Sequence, residues 1–262
     1  MSAIILRNET VHYEVLGRGK PLIFIHGWVG SWRYWIQAMQ AASVSYRAYA
    51  LDLWGFGDSA KRREHYSLEQ QLNLLDKFID ELGIGKIALV GHGLGAVIAW
   101  LYVARNPAGV DRAVGISVPQ NPEAISPRLR SASPAELADW LLGRSAATEP
   151  VRVEAPKTDP LAIQTSLTDL QDFDLNGLTL NLPIPYLWVH GQNDPAVQPP
   201  DPERIAAIPE QAHFIPFEQS GHYPMLDEAS KFNRLLDDML SLDSGASPRQ
   251  LQLKEEWKRR VR

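Results

Sequence analysis

Apolar residues along this chain follow two rhythms. Six short runs, "PLIFIHG" (21–27), "YRAYALD" (46–52), "KIALVG" (86–91), "DRAVGISV" (111–118), "PYLWVHG" (185–191) and "AHFIPFEQ" (212–219), are nearly continuous in apolar residues. They are too short for helices and read as parallel strands covered on both faces. Upstream, Val11, Tyr13 and Val15 alternate with polar residues before glycines 17 and 19, which predicts an antiparallel edge hairpin. The second rhythm is helical. "SLEQQLNLLDKFIDELG" (67–83) places Leu68, Leu72, Leu75, Phe78, Ile79 and Leu82 on one face, with Ser67 as N-cap and Gly83 as stop. "LGAVIAWLYVARNP" (94–107) is apolar nearly all round, as a helix packed on a sheet should be, and "DEASKFNRLLDDML" (227–240) is the last clear helix.

Strands alternating with helices predict an α/β fold: a doubly wound, mostly parallel sheet of about eight strands. Residues 119–182 break the alternation. They are rich in proline, serine and alanine, with helical patterning only around 133–143 and 165–173. The expected organisation is a core of residues 1–118 and 183–242, a partly helical cap inserted at 119–182 over the strand ends, and a tail at 243–262. That tail, "GASPRQLQLKEEWKRRVR" from residue 245, reads as frayed chain or a short amphipathic helix with a basic end.

Composition narrows the function classes. A chain of 262 residues with 45% apolar content can build one large core. A net charge of −5 gives no reason to expect nucleic acid or an anionic membrane as partner. The chain has no cysteine, which excludes disulfides, thiolate catalysis and cysteine-ligated metals and fits a reducing, cytoplasmic location. The first residues lack the pattern of a signal peptide. Residues 87–104 carry no formal charge, but their glycines and His92 point to strand, turn and buried helix, not a membrane span. Histidines 12, 65, 190 and 213 have no metal-ligand spacing, so no metal is expected.

The turn "GHGLGA" (91–96) admits two chemistries. Gly91-x-Gly93-x-x-Ala96 is the spacing of a dinucleotide-binding loop, which needs an acidic residue about 20 positions on at the end of the next strand. Asp111 has the distance but precedes its strand, and the motif does not fall on the first strand–helix unit. Gly91-x-Gly93-x-Gly95 is also the spacing of a nucleophile elbow, with glycine at the nucleophile's position.

The elbow has company. His26-Gly27-Trp28 follows one strand, "DLWGFGDS" (52–59) the next, and "WVHGQNDPAV" (188–197) and "SGHYPMLDEAS" (220–230) come late. In this order, over residues 10–240, the set resembles the α/β-hydrolase fold family, in particular its epoxide hydrolase, haloalkane dehalogenase, esterase and C–C hydrolase branches. The resemblance implies that His222 is the catalytic histidine and Asp194 its carboxylate. It places the backbone N–H groups of Trp28 and Leu94 in the oxyanion hole and Gly93 at the nucleophile position. It implies no cofactor. His26, Asp52 and Asp58 are expected to brace their loops, and His92 to be packed or hydrogen-bonded.

Gly93 has no side chain with which to attack, so covalent ester, epoxide and haloalkane chemistry are all put in doubt. Three outcomes stay open: a non-catalytic ligand-binding or interaction protein on the old pocket, a pseudoenzyme in effect; general-base chemistry by His222 and Asp194 alone; or an active hydrolase whose serine was replaced. Trp28, Trp32, Trp35 and Trp54 near the expected mouth, and Trp140 in the cap, suggest a small, mostly apolar ligand, unless they pack into the core.

Overall fold

The computed structural model describes residues 2–251. Eight strands form one sheet: β1 (Ser2–Leu6), β2 (Glu9–Leu16), β3 (Lys20–Ile25), β4 (Tyr46–Leu51), β5 (Ile87–His92), β6 (Val110–Ile116), β7 (Tyr186–Gly191) and β8 (Ala212–Phe217), in the order β1-β2-β4-β3-β5-β6-β7-β8. From β4 to β8 every neighbouring pair is parallel, and β2 is antiparallel to both β1 and β4. β5 and β7 are buried along their whole length, which explains why their sequences show no alternation.

The edge hairpin exists, but with a different partner. β2 turns back on β1 through Arg7 and Asn8, both left-handed (φ 51° and 64°), which suits the twist of a two-residue hairpin. Gly17 and Gly19 instead release the chain into β3, which lies on the far side of β4. β1 was missed because its apolar run is so short.

The helices are α1 (Ile36–Ala42), α2 (Leu68–Glu81), α3 (Leu94–Arg105), α4 (Arg128–Ser131), α5 (Pro134–Leu141), α6 (Glu149–Glu154), α7 (Pro160–Asp169), α8 (Leu175–Leu180), α9 (Pro202–Ala207), α10 (Pro224–Asp227) and α11 (Ala229–Ser241). Ser67 caps α2 by accepting from the Gln70 N–H, as its spacing predicts. α3 packs on β5 and β6, α2 and α8 pack on α3, and α1 packs on α11. Helices α4 to α8 lie between β6 and β7, where the strand–helix alternation lapses. Ser133 and Glu136 close a full capping box on α5.

Residues 252–262 of the tail, expected as frayed chain or a short amphipathic helix, lie outside the described residues. Residues 245–251 are docked rather than frayed: Arg249 donates to the carbonyls of Ala212 and Ile208, and the His213 ring bonds the Pro248 carbonyl. No helix among the described residues is long and apolar enough to cross a membrane.

Parallel register prepares the site. Ile25 of β3 pairs with Leu51 of β4 and with Gly91 of β5, and Gly91 pairs with Gly115 of β6. The loops opening at His26, Asp52, His92 and Ser117 therefore leave one edge of the sheet side by side. β7 delivers the Asp194 loop to that same edge.

Candidate active site

The turn from β5 to α3 is sharp because three glycines let it be. A side chain at Gly91 would run into the Gly95 carbonyl and Ala96, and one at Gly95 into the carbonyls of Ile25 and His26. Gly93 has φ 50° and ψ −111°, a conformation that costs a residue with a side chain about 1–3 kcal/mol and glycine far less. Its N–H bonds the Ile116 carbonyl at 2.9 Å. The turn thus places residue 93, which the resemblance puts at the nucleophile position, at the tip of a sharp strand-to-helix turn without a side chain.

Asp194 and His222 come together from loops 28 residues apart, Nδ1 to Oδ2 at 2.8 Å. The other carboxylate oxygen accepts the N–H groups of Ala196 (2.8 Å) and Val197 (3.0 Å). Ser117, which sequence reasoning left inside a strand, follows β6 in the left-handed region (φ 50°), and its hydroxyl donates to Asp194 Oδ2 at 2.8 Å. Burial alone would raise the Asp194 pKa, but the charge and hydrogen bond of His222, with His190 and Ser117 behind them, hold it well below the usual carboxylate range. A carboxylate fixed on Nδ1–H leaves Nε2 as the ring nitrogen that can exchange a proton. His222 is 1% exposed and Asp194 8%.

The His26–Trp28 loop is braced by hydrogen bonds. The His26 ring accepts the Leu53 N–H on Nε2 (3.0 Å), so its Nδ1–H donates to the Gly27 carbonyl (2.8 Å). The Gly27 N–H donates to the Tyr34 hydroxyl at 2.6 Å, and that hydroxyl lies 2.9 Å from His92 Nδ1. The N–H groups of Trp28 and Leu94 meet no acceptor among the described residues, which leaves both available to an oxyanion.

The tryptophans divide. Trp28 is fully buried beside the elbow: a Cβ on Gly93 would lie 3.0 Å from its Cε3 and Cζ3 atoms. Its Nε1–H donates to Ser166 Oγ of α7 at 3.1 Å. The ring contacts of Trp32 are instead with His12 (5.8 Å between centroids) and the Arg33 guanidinium. Trp35 packs on Phe24, and the buried Trp54 exchanges two hydrogen bonds with Gln71. Trp140 lies under Arg128 at 4.8 Å. Among the five, Trp28 is the one whose ring stands beside Gly93. Tyr34 and Ser166 also escaped the sequence reading, since a phenol among tryptophans and a serine within a weak helix carry no motif.

Histidines that looked scattered are not all so. His12, Asp52 and Asp58 bring potential ligand atoms within 4.8 Å of one another. Most of their ligand atoms are already engaged, though His12 Nε2 has no hydrogen-bond partner among the described residues. Asp52 accepts from His12, the Trp32 N–H and the Asp58 N–H, while Asp58 holds Lys157. These bonds brace the "DLWGFGDS" turn.

Residues 20–153 match the model of the alpha/beta hydrolase fold family, and the chain belongs to that family. It is 37% identical to Epoxide hydrolase 3 of Siraitia grosvenorii over 118 residues, 43% of this chain and 37% of that protein. The chain therefore spans little more than a third of that curated relative. It is 24% identical over 256 residues to a pimeloyl-[acyl-carrier protein] methyl ester esterase of Vibrio parahaemolyticus, covering 86% of this chain and 96% of that one. An esterase from Exiguobacterium antarcticum superposes with a TM-score of 0.80 at 18% identity, over 92% of this chain and 99% of that one. The protein is thus a hydrolase-fold member related to epoxide hydrolases and esterases.

Proposed function

We propose that the protein is a hydrolase of small, mostly apolar esters that works without a covalent intermediate. The observation that carries this reading is the Asp194–His222 pair: a buried carboxylate with four hydrogen-bond donors around it, holding an imidazole in the tautomer of a general base. A protein that only bound a ligand would gain nothing from that arrangement.

In this reading a water stands where a nucleophile's hydroxyl would be, above Gly93. His222 Nε2 takes one of its protons as the water oxygen bonds to the ester carbonyl carbon. The carbonyl π electrons move onto oxygen, facing the Trp28 and Leu94 N–H groups. When the tetrahedral adduct collapses, the C–O bond to the leaving group breaks, and the imidazolium returns its proton to the departing alkoxide. The products are a carboxylic acid and an alcohol. The 119–182 segment acts as a cap: Val151 of α6 lies against Gly30 and Ser166 of α7 holds Trp28.

The expected rate is low. Triad enzymes stripped of a member keep roughly 10³–10⁴-fold acceleration over water from the oxyanion hole and binding. The test is hydrolysis of short aryl esters by the chain itself, His222→Ala and Asp194→Asn, followed through the first turnover. Slow turnover without an initial burst, lost in both variants, supports the reading. Turnover that both variants retain overturns it, and a burst would place a covalent nucleophile somewhere other than residue 93.

A further inference from the structure

The reacting groups are closed in: Trp28, Leu94 and His222 are at most 1% exposed. Any molecule that reaches the turn at Gly93 must therefore displace something, and Trp28 is the side chain that stands against it. Its indole stands against Gly93, in the place where a Cβ would begin a nucleophile, with Cε3 and Cζ3 each 3.0 Å from that point. A single hydrogen bond fixes its outer edge, from Nε1 to Ser166 Oγ at 3.1 Å. Ser166 is itself set, because its hydroxyl donates to the Ile163 carbonyl at 2.8 Å and so offers the indole a lone pair.

The helix behind that hydroxyl does not yield easily. Asp169, at the end of α7, accepts the Leu68 N–H of α2, and Asp159, its N-cap, accepts the Tyr66 hydroxyl. Arg130 of α4 donates to the Leu167 carbonyl. With α7 tied to the core at both ends, rotation of one side chain is a smaller movement than displacement of the helix.

From this we infer that Trp28 is the specificity-determining gate of the site: its indole fills the space left above Gly93, Ser166 is its latch, and a substrate is admitted by rotating the ring out. The inference rests on the proposed hydrolytic reading for its consequence, since the group that replaces the ring is the acyl or aryl part of the ester. A planar, conjugated group of about the size of an indole fits that exchange. It would refill the apolar space, and a donor on its far edge would take over the Ser166 lone pair. A branched aliphatic group does neither.

The absence of cysteine from the chain permits a test that needs no catalysis. In Gly93→Cys the introduced thiol is the only one in the chain, and its rate of alkylation by iodoacetamide reports access to the elbow. Ser166→Ala in that background should speed alkylation by about five- to thirtyfold, the factor that 1–2 kcal/mol of lost hydrogen bonding represents. Trp28→Ala should speed it at least as much, with thermal unfolding of each variant recorded alongside to confirm folding. Because the new Cβ itself crowds the ring, Ser117→Cys provides a second reporter, beyond Asp194, with Gly93 untouched. Equal alkylation rates with and without Trp28 and Ser166, at both positions, would overturn the gate. On the catalytic side, Ser166→Ala should lower KM for aryl esters that carry no donor on the far edge and should not lower it for those that do. An inert but gated protein would defeat the hydrolytic reading alone, and an active but ungated one the gate alone.

Discussion

His92 Nε2 lies 2.8 Å from the backbone carbonyl of His222, so two histidines 130 residues apart are joined through main chain on one side and ring on the other. A carbonyl only accepts, so Nε2 carries the proton. Burial, with the neighbouring His222 charge, pushes the His92 pKa well below the ordinary histidine value and keeps the ring neutral, so Nδ1 is an acceptor. The Tyr34 hydroxyl must then donate to Nδ1 while accepting from Gly27. One directional chain, Gly27 to Tyr34 to His92 to His222, thereby ties the His26–Trp28 loop, the β5–α3 turn and the His222 loop together.

Tyr34→Phe cuts that chain and strands two buried polar groups, the Gly27 N–H and His92 Nδ1. Each such group costs about 1–3 kcal/mol when left without a partner. Urea unfolding should show Tyr34→Phe less stable by about 2–6 kcal/mol, the two penalties together, with the m-value unchanged. A loss below about 0.5 kcal/mol, the scatter of ordinary surface substitutions, would mean that the chain of bonds carries no strain-bearing role.

Most of the architecture was legible because it rests on local chemistry. Ser67 and Gln70 start α2 as their spacing says, Gly83 ends it in the left-handed region, and the unbroken apolar runs of β5 and β7 announce strands covered on both faces. What escaped depends on tertiary register. Ser117 reads as strand because its neighbours are apolar; only the pairing of β6 with β5 and β7 turns its hydroxyl to Asp194. Tryptophans 32, 35 and 54 read as pocket lining because loop position is visible in sequence and side-chain direction is not. The partner of β2 was misjudged for a similar reason: glycines mark a turn, but not where the chain goes next.

Ser117 gives a second prediction. Asp194 has its pKa depressed, so the stability it contributes is complete above the ordinary carboxylate value and is lost as pH falls through its lowered one. Ser117→Ala removes one donor from that carboxylate, worth about 1.5–3 kcal/mol for a bond to a charged group. The Asp194 pKa should move back up, and acid unfolding should begin at higher pH in the variant. Coincident acid transitions for the two proteins, followed by tryptophan fluorescence, would contradict this.

His12 works in the opposite sense. Burial lowers its pKa, but the hydrogen bond and charge of Asp52, with Asp58 and Glu14 adding to them, outweigh burial and leave it raised. A raised histidine contributes stability that is complete below its unfolded value of about 6.5 and disappears as pH climbs through the folded one. The melting-temperature gap between the protein and His12→Gln should therefore be wider near pH 5.5 than near pH 8.5, on either side of that value. A gap that is constant with pH would show that the His12–Asp52 contact contributes only as a neutral hydrogen bond.

Introducing a nucleophile at residue 93 is a steric problem before it is a chemical one. Gly93→Ser places a side chain at φ 50° and brings its Cβ to 3.0 Å from the Trp28 ring, which Ser166 holds in place. The backbone term alone costs about 1–3 kcal/mol, so the variant should melt below the parent. In the proposed reading the other groups of a serine triad are present, with His222 Nδ1 on Asp194 and the Trp28 and Leu94 N–H groups meeting no acceptor among the described residues. An initial burst with an activated aryl ester is therefore expected. It should be larger in Gly93→Ser/Ser166→Ala, where the ring is free to withdraw, and absent from Gly93→Ser/His222→Ala. If the double variant with Ser166 gains nothing over Gly93→Ser, the ring already yields to the serine and the crowding at 3.0 Å relaxes without help from the latch. If Gly93→Ser shows no burst in either background, then the oxyanion groups and His222 do not converge on the serine oxygen, and the dyad serves a different reaction.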